Sequence, residues 1–209
     1  MLRLTPMFAR GVRSCLLVLV LVGATAAGSA RSGADAGVFL RELSDRAILQ
    51  MTEPGITDAE KELRFRALIE EGFDIPAIGK FVIGRYWRGT NPAERQDFLA
   101  AFKEMMVQRF LPVFDEYSGE RLGVGLVRPF AVGSNIFSVS SELKRSQGEP
   151  VKVDWRVLQN DGGYKIVDII AEGVSIAVTL RSEYNSVLKN NGGSVSYLTR
   201  VLKEKITGG

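Results

Sequence analysis

Apolar residues recur at three- and four-residue intervals through the first half of the chain. They switch to alternation near Arg121 and return to the longer spacing after Ser175. The longer interval is that of a helix and the shorter that of a strand. Asp35 to Met51 places Val38, Leu40, Leu43, Ala47, Ile48 and Met51 on one stripe, and Glu53-Pro54-Gly55 breaks it. Thr57-Asp58-Ala59-Glu60 is a capping box that opens a second helix, with Leu63, Phe65, Leu68 and Ile69 as its buried side and Gly72 at its end. Asp74 caps a short third helix whose Ile78, Phe81, Val82 and Ile83 are apolar almost all round, which predicts deep burial. Asn91-Pro92 opens the longest helix, predicted to run to about Tyr117. Phe98, Phe102, Met106, Phe110 and Phe114 fall on every fourth position, a stripe that winds about 40° per step. Pro112 removes one backbone donor inside it and predicts a kink.

The alternating part predicts strands over Gly123 to Val132, Asn135 to Lys144, Val151 to Gln159 and Tyr164 to Ala171. Gln147-Gly148-Glu149-Pro150 and Asn160-Asp161-Gly162-Gly163 are turns between them. The last strand carries Ile166, Val167, Ile169 and Ile170, apolar on both faces by simple alternation. Such a strand is covered on both sides or borders a cavity. Ser175 caps a helix to about Asn190, and Asn191-Gly192-Gly193 separates it from a final helix, Val195 to Lys205. The order predicts an α+β domain, an antiparallel meander of about four strands packed by N- and C-terminal helices, with more apolar surface than a small solvated sheet can use.

Composition changes the picture at the N-terminus. Arg3, Arg10 and Arg13 precede the apolar run Cys15 to Val22 and the small residues to Ala30, which reads as a secretory signal over residues 1–30. Cleavage could follow Ala26 or Ala30, and the domain is expected over 31–209. Without those three arginines the acidic and basic residues balance, so the basic isoelectric point predicts no nucleic-acid surface. Cys15 is the single cysteine, so the processed chain has neither disulfide nor thiol chemistry. The chain has no histidine, which excludes an imidazole base and any His-ligated metal.

Candidate chemistry is sparse. Gly123-Val124-Gly125 precedes strand rather than helix and is no phosphate loop. Asp168 on its apolar strand and Glu172 at the strand's end are candidates for a general acid and base on a small apolar substrate. The structural alternative pairs Asp168 with Arg156 and uses Glu172 to cap backbone amides. Arg85 and Arg88 flank Tyr86-Trp87 and can meet lipid phosphates or nearby acids. An adaptor role, with the surplus apolar surface covered by another protein, is a third reading.

Gly84-Arg85-Tyr86-Trp87, Asp154-Trp155-Arg156, the run Val167 to Ser175 and the closing Arg181-Ser182-Glu183-Tyr184 stand in an order that resembles the MlaC-type periplasmic phospholipid carriers, also called the toluene-tolerance auxiliary family. The sequence is also similar to members associated with hopanoid biosynthesis. The resemblance implies that the sheet is twisted and that the layers of sheet and helices enclose an apolar lipid pocket. It implies a periplasmic shuttle that takes phospholipid, or a hopanoid-type lipid, between inner and outer membranes. It implies exchange with an inner-membrane ABC complex bearing a ring-forming lipid-binding protein, and with an outer-membrane lipoprotein. No cofactor or metal is implied, and no catalysis. Each buried methylene contributes about 0.8 kcal/mol, so one long acyl chain supplies on the order of 10 kcal/mol without a strong headgroup contact. The expected lipid-binding residues are Phe81, Tyr86, Trp87, Phe102, Met106, Phe110, Trp155, Val157, Ile169, Val174 and Ile176.

Overall fold

Most of the helices begin where the sequence supplies a cap. The computed structural model describes residues 33–115, 120–144 and 149–208, all within the compact unit Arg31–Gly209. The expected signal (1–30), Tyr117 and the Gln147-Gly148 part of a predicted turn lie outside the described residues. Helix α1 is Gly33–Met51 and α2 is Asp58–Gly72, with the Thr57 hydroxyl accepting the Glu60 amide. Helix α3, Ile75–Ile83, starts on Asp74, whose carboxylate accepts the Ala77 amide. A single turn, α4 (Tyr86–Gly89), occupies the stretch between α3 and the long helix. Helix α5, Pro92–Phe110, opens on a complete Asn91–Glu94 capping box.

The long helix ends seven residues before the expected Tyr117. At Leu111–Phe114 the chain tightens into a 3-10 turn containing Pro112. Proline lacks the donor that continuation needs, so the helix stops there rather than kinking and going on.

The sheet is an antiparallel meander, β1-β2-β3-β4-β5. Its strands are β1 (Arg121–Pro129), β2 (Ile136–Lys144), β3 (Val151–Asn160), β4 (Gly163–Ala171) and the two-residue β5 (Val174–Ser175). The first strand is displaced from the expected Gly123–Val132 because the chain turns after Pro129, where the Phe130 amide donates to the Ile136 carbonyl and Gly133 takes a positive φ. Helix α6 (Ile176–Asn190) begins on Ser175 and α7 (Val195–Thr207) on Ser194.

Two bulges set the faces of the sheet. The register skips one residue between Val124 and Val127, where Leu126 stands 77% exposed. The Ser140 hydroxyl accepts the Leu126 amide and donates to its carbonyl, sealing the gap. The second lies opposite Arg156-Val157: Arg156 pairs with Asp168 but Val157 with Ile166, leaving Val167 as the extra residue. Ile166 and Ile169, three apart, therefore share one face. The strand that reads as apolar on both faces is largely a strand with a slipped phase.

The core centres on α5. Phe98 and Phe102 are fully buried and stack at 5.8 Å, and Phe102 meets Tyr184 edge-on at 6.2 Å. Phe137, Val139, Val157 and Ile166 supply the sheet side. Helix α3 is less enclosed than predicted. Ile75, Ile78, Val82 and Ile83 are buried, but Phe81 is 43% exposed on the outer side of α3.

Candidate functional site

The layer between helices and sheet is not filled. A cavity of about 570 Å³ remains, within the range of about 300–1,000 Å³ typical of ligand pockets. Leu40, Leu43, Ser44, Ala47 and Ile48 of α1 form one wall, and Phe65, Leu68 and Ile69 of α2, with Phe73 beyond it, form the next. Met106 and Phe110 close it from the end of α5, and Val113 and Phe114 from the 3-10 turn. Leu122, Leu143, Val153, Trp155, Ile166 and Ile169 are the sheet's contribution. Phe65 and Phe114 meet edge-on at 5.5 Å across one corner. Val113 lines the cavity yet is 61% exposed, so the cavity reaches solvent beside the 3-10 turn.

Polar groups in this wall are few, and those of Ser44 and Trp155 are turned into the protein. The Ser44 hydroxyl donates to the Leu40 carbonyl one turn back at 2.8 Å. The Trp155 indole N–H donates to the Ser141 hydroxyl at 2.9 Å, and that hydroxyl donates to the Val153 carbonyl at 2.7 Å. With its one donor satisfied inside the sheet, the indole offers hydrocarbon to the cavity. Glu120 is the only charged residue of the lining among the described residues.

Of the residues expected from sequence to bind lipid, Met106, Phe110, Trp155 and Ile169 line this cavity. The others stand elsewhere. Phe102 is one turn too early on the winding stripe and packs into the solid core against Phe98 and Tyr184. Val157 is two positions past Trp155, pairs with Phe137 and Ile166 and is fully buried. Phe81 lies under the Arg181 guanidinium, and Tyr86 under Arg85. Trp87 lies under Arg95, which also donates to the Trp87 carbonyl. Val174 is 61% exposed on β5. Ile176 opens α6, where the Asp168 and Ser175 side chains organise the first turn. Sequence reasoning assigned the α1 and α2 residues to ordinary buried helix faces; a stripe facing a void has the same period as one facing protein.

The two carboxylates considered for acid–base work hold structure together. Asp168, 7% exposed, accepts from the Ser175 hydroxyl at 2.7 Å and from the Ala177 amide at 3.0 Å, with Arg156 Nε at 3.9 Å. Glu172, at φ 48°, accepts the Lys152 amide at 2.7 Å. Neither lines the cavity. Among the described residues no group of His, Cys, Asp and Glu is placed to hold a metal ion, and no helix is long and apolar enough to cross a membrane.

Residues 41–204 match the family described as MlaC protein. The chain belongs to the MlaC family. A curated relative, the intermembrane phospholipid transport system binding protein MlaC of Haemophilus influenzae, is 21% identical over 117 residues. That match covers 54% of each chain, so this chain spans about half the length of the relative. The fold is also that of a phospholipid-binding protein from Ralstonia solanacearum solved in complex with a phospholipid, with a TM-score of 0.71 at 20% identity, covering 83% of this chain and 97% of that one. As the MlaC resemblance implies, helices pack on an antiparallel sheet.

Proposed function

We propose that this MlaC-family chain is a periplasmic phospholipid carrier, with acyl chain in the cavity and headgroup at its solvent-facing mouth. The observation that carries the reading is the unfilled, hydrocarbon-walled space between α1, α2, the end of α5 and the sheet. Left to water, those side chains forfeit contacts that a lipid tail restores, at roughly 25 cal/mol per Å² of apolar surface covered. The few polar groups of the lining are consistent with a loosely read headgroup, which suits a carrier that must release its cargo. In this reading the lipid is exchanged with an inner-membrane ABC complex and an outer-membrane lipoprotein, and any ATP is used by the former.

Native mass spectrometry of the protein purified from cells tests this. The expected result is a protein carrying diacyl phospholipid of mixed headgroup. Recovery of a polycyclic triterpenoid instead would reassign the cargo to the hopanoid class. An empty protein that takes up no phospholipid from vesicles would overturn the carrier reading.

A further inference from the structure

The cavity is small for the cargo just proposed. A cavity of about 150 Å³ holds one benzene ring. On that scale 570 Å³ holds about two dozen carbon atoms. That is room for one long acyl chain; both tails of a diacyl lipid enter only if a wall yields.

The walls differ in how they are fastened. The sheet is a continuous hydrogen-bonded meander, and α5 is held by the fully buried Phe98 and Phe102. Helix α1 has Ala36 and Leu40 at zero exposure and lies so close to β1 that a Cβ on Gly37 would come within 3.0 Å of Val127. Helix α2 is different. Its buried side chains Phe65, Leu68 and Ile69 all border the cavity, with Phe65 also meeting Phe114 edge-on and Gly72 packing against Leu43 of α1 at the C-terminal end. Its ties to the rest of the protein are largely ionic and run along its flanks: Lys61 to Asp115 at 2.6 Å, Arg64 to Glu53, Arg66 to Glu104 at 2.7 Å, Glu70 to Lys103 and Glu71 to Arg46. Most ion pairs among the described residues involve this one helix. At its C-terminal end the backbone is pinned, Phe73 bridging to Ile166 and the Asp74 amide donating to the Ile166 carbonyl at 3.0 Å. At its N-terminal end the exposed turn around Gly55, at φ 83°, leads in from α1.

We propose that α2 is the movable wall of the cavity: it swings out about its pinned C-terminal end to admit or release lipid, and the ion pairs along its flanks latch it shut. The proposal rests on the carrier reading. Exposed ion pairs are individually weak and are screened by salt. Several of them make a closure that opens and re-forms while the Phe98–Phe102 part of the core stays packed.

The test uses the full chain with Cys15→Ser, loaded with radiolabelled phosphatidylcholine and mixed with phosphatidylcholine acceptor vesicles. Lys61→Cys with Asp115→Cys, bridged after loading by a short bismaleimide, should keep its cargo while transfer falls by an order of magnitude. Unbridged, the same variant should transfer faster than wild type. Wild-type transfer should accelerate several-fold between about 0.1 M and about 1 M salt, as the Debye length falls from about 10 Å to about 3 Å. Arg66→Gln should start faster and respond less. Transfer by the bridged protein at the unbridged rate, or identical salt responses of wild type and Arg66→Gln, would overturn the movable wall. Failure of every variant to load lipid would instead overturn the carrier reading.

Discussion

Ser141 shows how a buried hydroxyl serves an apolar site. It stands 4% exposed, accepts the Trp155 indole N–H and passes its own proton to the Val153 carbonyl. Ser141→Ala strands the indole donor against the sheet and is expected to cost about 1–3 kcal/mol, read from the shift of a urea unfolding midpoint. Asp168→Ala removes the acceptor for Ser175 and for the Ala177 amide, and should cost about 1–2 kcal/mol by loosening the start of α6. The same measurement checks it. At this scale the sequence was informative where a side chain has one plausible partner. Arg156 and Asp168 are cross-strand partners in the register, and Ser175 caps the helix it precedes. It was uninformative at Val167, because no residue type announces that a strand gains an extra position there. Phase is decided by pairing with β3, and alternation counted along β4 alone misassigns the faces.

Among the elements, α2 is where charge matters most. Arg66 stands between Glu62 and Glu104, and its hydrogen bonds hold the Glu104 carboxyl below the usual carboxylate range. A carboxyl depressed on folding stabilises the protein at pH values above its unfolded range, about 4.3, and loses that contribution as pH falls through the folded value. Glu104→Gln should therefore lower stability by up to about 1 kcal/mol at neutral pH, with the side chains partly solvated. The gap from wild type should close in acid, followed by thermal melts from pH 7 downward. The helices were legible because each carries its own cap and stripe, Thr57 and Asn91 above all. The end of α5 was not, since a proline marks either a kink or a stop and the packing of the residues after it decides which. The aromatic stripe of α5 was legible as a stripe. Its partition was not: Phe98 stacks on Phe102 and Phe102 meets Tyr184 of α6 in the core, while Met106 and Phe110 face the cavity.

At the scale of the molecule, position along α5 separates what binds from what supports. Phe110→Glu places a charge in the cavity wall and is expected to strip co-purifying lipid while the fold survives. Phe81→Glu, on the outer side of α3 beneath Arg181, should leave lipid recovery unchanged. Lipid extraction and quantification of both variants checks the pair, and equal recovery from both would displace the cavity as the site. The fold was legible from the sequence as helices, meander, helices. The void was legible only as a surplus of apolar residues, because a chain records how much hydrocarbon it must hide but not whether protein or guest hides it.

The chain has two tryptophans, and the fold places them far apart in kind. Trp155 forms part of the cavity wall, and Trp87 sits beneath Arg95 beside the first turns of α5. The molecule thus carries an intrinsic optical gauge together with its own reference. In a Trp87→Phe background, emission should move to the blue as cargo displaces water from the remaining indole; in a Trp155→Phe background it should stay still. Occupancy can then be followed in real time without attaching a dye to either the protein or the lipid.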